Sequence, residues 1–133
     1  MKVVVDTSVW SLALRRNTPQ QALPIVNQLR ELIADNQVVL LGAIRQEILS
    51  GIRSTEQFTR LKDSLRAFPD LQLTIEDYEL AAEFYNTCRM NGIQGANTDF
   101  LICSVAHRRG WYILTTDQDF KNFQKYISIN LLD

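Results

Sequence analysis

Three consecutive valines, Val3-Val4-Val5, stand almost at the start of the chain and run straight into an acid, Asp6. Successive side chains of a strand point to opposite faces, so an apolar run without alternation predicts a strand covered on both sides. A central strand of a parallel sheet has that environment, and the chain is thereby held to an α/β layout. Ligands of open α/β sheets sit at the carboxyl ends of the strands. Asp6, with Thr7 and Ser8 behind it, is therefore placed for chemistry.

The remaining pattern alternates in the way this layout requires. A short helix is predicted after Thr7 or Ser8, then a helix over 20–34, where Leu23, Val26, Leu29, Leu32 and Ile33 recur at helical spacing. A strand over 38–41 leads into a short helix closed by Gly51, and Ser54 with Gln57 opens a helix over 54–68. A thin strand is expected at 71–74, and a long helix from Thr74 to about Met90. The next helix starts at Asn97 or Thr98 and stops at Gly110. A strand over 111–115, a short helix through Phe123 and a last strand over 126–131 complete one domain, 1–133.

Composition narrows the function. The net charge of −1 gives no bulk basic signature, although ten arginines against four lysines suit bidentate phosphate contacts. Cys88 and Cys103 lack metal-ligand spacing and are expected to be reduced core residues of a cytoplasmic protein. One histidine, His107, excludes sites built on several imidazoles, and no apolar run is long enough to span a membrane. The residues before the valines do not form a signal peptide.

Four acids stand out by context. Asp6 and Asp117 directly follow apolar strands, Asp99 lies in the first turn of an apolar helix, and Glu47 lies in a mostly apolar short helix. A carboxylate beside a core is costly unless it is hydrogen-bonded, paired or bound to a cation. Four together would repel one another, and a divalent ion resolves that repulsion. Oxygen-only ligands favour Mg²⁺ or Mn²⁺ over zinc. The reaction this predicts is hydrolysis of a phosphodiester by in-line attack of water. Asp6 and Asp99 are assigned as principal metal ligands, and Asp117 as a direct or water-mediated one. Glu47 orients or deprotonates the attacking water, or holds a second ion. Asp119 reaches the rim, and Ser8 and Thr116 can hydrogen-bond a carboxylate or a phosphate.

Each residue also has a plain structural role open to it. Asp6 suits a helix cap, Asp99 a first-turn acid favoured by the helix dipole, Asp117 an Asx-turn and Asp119 a cap. The catalytic reading rests on the four acids occurring together in this order of elements.

The segments Val-Val-Val-Asp6-Thr-Ser-Val-Trp, Ile-Arg-Gln-Glu47-Ile-Leu-Ser-Gly, Asn-Thr-Asp99-Phe-Leu-Ile-Cys-Ser-Val-Ala and Tyr-Ile-Leu-Thr-Thr-Asp117-Gln-Asp119-Phe resemble those of PIN-domain nucleases. Among these the chain is similar to the VapC toxins of toxin–antitoxin pairs, over nearly its whole length and with all four acid positions filled. The resemblance implies a PIN-like fold, a parallel sheet of about five strands flanked by helices on both faces, with the acids at its carboxyl end. It implies a Mg²⁺- or Mn²⁺-dependent endoribonuclease that stops translation, a homodimer, and a cognate VapB-type antitoxin bound near the site. The helices over 20–34 and 54–68 would wall the antitoxin groove, with Arg15, Arg16, Arg45 and Arg53 at its mouth. The competing readings are a PIN-domain RNA-processing nuclease that is not a toxin, and a metal-binding or RNA-binding module without catalysis. A receiver-type phosphoacceptor fits less well, because no lysine follows the last strand. A duplex-DNA flap nuclease lacks its added arch here.

Overall fold

The computed structural model describes residues 1–15 and 17–133; Arg16, expected at the groove mouth, lies outside them. Four parallel strands form the sheet in the order β2-β1-β3-β4: β1 Val3–Val5, β2 Val38–Val39, β3 Tyr112–Leu114 and β4 Asn130–Leu131. The helices are α1 Thr7–Ala13, α2 Leu23–Ala34, α3 Gly42–Leu49, α4 Thr55–Leu65, α5 Ile75–Met90, α6 Asn97–Arg109 and α7 Asp119–Gln124, with a 3₁₀ turn at Gln20–Ala22 before α2.

All three valines of β1 are fully buried. Helices therefore cover both faces of this strand, and each such side chain contributes about 1.5–3 kcal/mol. The chain passes from β1 to β2 on one side of it and returns to β3 on the other. Val5 pairs with Leu114, so the carboxyl ends of β1 and β3 lie side by side. Strand order reverses between them, the position where α/β sheets form a crevice.

One expected strand does not form. Residues 71–74 carry no strand, and only Asp70 bridges to Leu40. Pro69 breaks the approach, and Leu71 and Leu73 pack against the core as isolated anchors. The sheet accordingly has four strands in place of about five. The outer strands are also shorter than expected, since 126–129 turn under Ile127 and Ile129 before pairing begins.

Helix ends follow the sequence closely. Ser54 Oγ accepts a hydrogen bond from the Gln57 N–H, half of the expected capping box. Thr74 and Asp77 make a full one. Gly110 takes the left-handed conformation (φ 69°) that ends α6. Asp77 is completely buried, and its carboxylate accepts from both Nη atoms of Arg109 (2.8 and 2.9 Å), from Arg108 (2.6 Å) and from the Thr74 N–H (2.9 Å). The Arg109 bonds hold this carboxyl well below the usual range. The pin joins the start of α5 to the end of α6, about 15 Å along α6 from Asp99.

Candidate active site

Asp6 ends β1 and occupies the N-cap position of α1, yet its side chain caps nothing. Its Oδ2 instead accepts from Ser8 Oγ and from Thr115 Oγ1, both at 2.8 Å. Each hydroxyl in turn accepts a backbone N–H from the turn after β3: Thr116 N–H to Ser8 Oγ at 3.1 Å, and Asp117 N–H to Thr115 Oγ1 at 3.0 Å. Both hydroxyl protons are thus spent on Asp6, so the 3.4 Å approach of Ser8 to Thr115 carries no bond of its own. Two side chains thereby fix the Asp117 turn against Asp6.

The sequence assigned the supporting hydroxyl to Thr116. Thr116 is exposed and contributes only its N–H, and Thr115 makes the bond to the carboxylate. Alternation along the strand does not separate the two, because Ile113 and Leu114 are both buried.

Asp117 Oδ1 accepts from the Asp119 N–H at 2.9 Å, which is the Asx-turn expected of it. Asp119 is exposed; it opens α7 at its first residue and does not cap it. Glu47 projects from α3, and its Oε1 accepts from Thr7 Oγ1 at 2.8 Å. Asp99 Oδ2 accepts from the Ala96 N–H at 3.0 Å, half a capping box that Ala96 has no side chain to complete. The loop before α6 is seated by Gly95, where a Cβ would meet the Phe123 ring at 2.6 Å and the Phe100 ring at 2.9 Å. Those rings are fully buried, so a side chain at 95 would displace the turn that carries Asp99.

Burial first, and then the charges of Asp6, Asp117 and Glu47, raise the Asp99 carboxyl to about 6 against the Ala96 hydrogen bond. The other three acids chosen from sequence therefore lie near enough for their charges to act on Asp99. Among the described residues, no three acid, His or Cys side chains are grouped closely enough to hold a metal ion as they stand. Each carboxylate is turned onto a neighbouring donor through one oxygen, and the described hydrogen bonds leave its other oxygen free. Those free oxygens are a donor set that fits a hard divalent cation.

Of three clefts, the first includes one of the four acids. One of about 400 Å³ is lined by Thr115, Asp117, Gln118 and Lys121. A groove of about 180 Å³ runs between Leu14, just past α1, and Gln57, Arg60 and Leu61 of α4. Helix α2, expected as a wall, does not line it. An apolar groove of about 370 Å³ lies between α5 and α6, against Tyr78, Tyr85 and Leu101. Arg45 is withdrawn from any groove mouth. It donates to the carbonyls of Leu65 (2.9 Å) and Phe68 (2.6 Å) and to Asp70 Oδ1 (3.1 Å). His107 Nδ1 lies 2.7 Å from the Ser128 carbonyl oxygen.

Similar folds are found among solved structures. The structure of FitAcB from Neisseria gonorrhoeae aligns with a TM-score of 0.77 at 18% identity, over 98% of this chain and 96% of that one. The structure of VapBC2 from Rickettsia felis bound to a promoter DNA fragment aligns with a TM-score of 0.77 at 19% identity, over 99% and 98%. VapBC-5 from Mycobacterium tuberculosis aligns at 0.68 and 18% identity, over 99% and 98%. A sequence comparison with curated proteins returns no match. The family model described as the PIN domain matches residues 3–126. With a parallel sheet whose order reverses above Asp6 and a family match across almost all its length, the chain belongs to the PIN domain family.

Proposed function

We propose that this chain is a metal-dependent endoribonuclease and the toxin of a toxin–antitoxin pair. PIN domains are nucleases, and what supports the reading is that Ser8 and Thr115 tie the Asp117 turn to Asp6, Thr7 beside Asp6 holds Glu47, and the charges of all three acids act on Asp99. Asp6 and Asp99 would hold Mg²⁺ or Mn²⁺, with Asp117 directly or through water. The bound ion would supply polarisation of the phosphoryl oxygens and a lowered pKa for an attacking water. Ser8 and Thr115 keep Asp6 oriented. Glu47, exposed and on a separate helix, would take the proton of the water, orient it, or hold a second ion. Single-stranded or looped RNA suits an open crevice without a duplex clamp.

The antitoxin assignment draws on the FitAcB and VapBC assemblies that share the fold. The groove between the end of α1 and α4 is the candidate seat for its segment. A homodimer through the α5–α6 face, where Tyr78 is exposed beside Leu101, is part of the same proposal.

Purified protein is expected to cut RNA with Mg²⁺ or Mn²⁺ and to stop in EDTA. Asp6→Asn and Asp99→Asn should each lose at least about 100-fold in rate with the fold intact by circular dichroism. Wild-type activity in either variant would refute the metal assignment. Induced expression should arrest bacterial growth with discrete new RNA ends, both lost in Asp6→Asn. A second reading, an RNA-binding module without catalysis, is favoured by the carboxylates being turned onto their own neighbours. Absence of Mn²⁺ binding at millimolar concentration would select it.

A further inference from the structure

We infer that Thr7 is a positioning residue: its hydroxyl locks the Glu47 carboxylate at a fixed place relative to Asp6. The inference rests on the metal-dependent nuclease reading and adds a residue to it. Glu47 is on α3, which follows the edge strand β2, whereas Asp6 is on the central strand β1. No sheet hydrogen bond ties α3 to the end of β1, and Glu47 is exposed, so its side chain has several rotamers open to it. Among the described residues its one hydrogen bond is the 2.8 Å bond from Thr7 Oγ1.

Thr7 is suited to this use. It is the residue next to Asp6 and the first of α1, so its backbone is fixed by the same turn that fixes Asp6. Its β-branch restricts χ1, and its hydroxyl has one proton to give. That proton goes to Glu47 Oε1, and the described hydrogen bonds leave Oε2 free. A hydroxyl donated to a carboxylate is a charge-assisted bond, and such outer partners set the direction of a ligand's free lone pairs. The sequence offers Thr7 or Ser8 as a cap for the following helix, yet α1 makes no side-chain cap. The hydroxyl therefore has no capping duty that would explain it.

The test is a double-mutant cycle on Mn²⁺ affinity, read by electron paramagnetic resonance or calorimetry, with RNA cleavage measured in parallel. Thr7→Val keeps the shape and removes the proton donor. Thr7→Val and Glu47→Gln are each expected to weaken Mn²⁺ binding by about tenfold, and the double variant to be no weaker than the worse single one. Thr7→Ser should restore wild-type affinity, and kcat should fall in Thr7→Val with KM for RNA unchanged. Circular dichroism melts check that each variant folds. Wild-type Mn²⁺ affinity in Thr7→Val, or two losses that multiply in the double variant, would overturn the role of Thr7 alone. A wild-type chain that binds no Mn²⁺ would overturn the nuclease reading and this inference with it.

Discussion

Two buried or half-buried acids in this chain have opposite environments. Asp77 is surrounded by two guanidinium groups and a backbone N–H, which favour its charged form, and it serves the fold. Asp99 has one N–H and three nearby acids, and burial with those charges raises its carboxyl from 3.8 to about 6. A raised carboxyl means that the folded chain binds a proton more tightly than the unfolded one. Asp99 therefore contributes stability that is present below pH 4 and is lost as pH rises through about 6. In EDTA, the melting temperature of the wild type should fall relative to that of Asp99→Asn between pH 4 and about pH 6, and Mn²⁺ at pH 7 should restore it. Parallel curves for the two proteins would show that the charge on Asp99 costs the fold nothing.

Arg45 shows how an element can claim a residue that looks functional in the sequence. The last carbonyls of a helix have no partner within it. Those at the end of α4 and in the turn beyond, Leu65 and Phe68, are met by the Arg45 guanidinium from α3. Its side chain is 20% exposed, while that of Asp70, its ion-pair partner, is 66% exposed. The ion pair adds little at such exposure, and the carbonyl bonds carry the effect. Arg45→Ala is expected to cost about 2 kcal/mol in urea unfolding and to leave RNA affinity per folded molecule unchanged. Weaker RNA binding at unchanged stability would return Arg45 to the groove mouth where the sequence placed it.

For the whole molecule, the order β2-β1-β3-β4 is what makes a site. It brings together a residue after β1, two residues after β3, one from α3 and one from α6, although they span Asp6 to Asp117 in the chain. The α5–α6 pair covers the sheet on its inner side and leaves Tyr78 56% exposed, beside a cleft lined by Leu71, Leu73 and Leu101. This is the face through which the homodimer is proposed. Tyr78→Glu is expected to convert a dimer into a monomer by light scattering coupled to size exclusion. A wild type that is already monomeric at micromolar concentration would remove the homodimer from the proposal.

The sequence alone determined the α/β class, the buried central strand, the helix start at Thr74 and the helix stop at Gly110, and it marked the four acids as candidates. These are local properties: valine runs, helical spacing, capping chemistry, and a charge where a strand must end. It could not separate Thr115 from Thr116, because that choice depends on which side chain faces β1 once Val5 pairs with Leu114. Nor could it see the hydroxyl of Thr7 on Glu47 or the guanidinium of Arg45 under α4, contacts across 40 and 20 residues of chain. Residues 71–74 have strand composition and no strand, since a strand exists only where a neighbour has free backbone groups in register. Pairing and long-range hydrogen bonds depend on where the chain returns in space, and only the packed tertiary structure sets that.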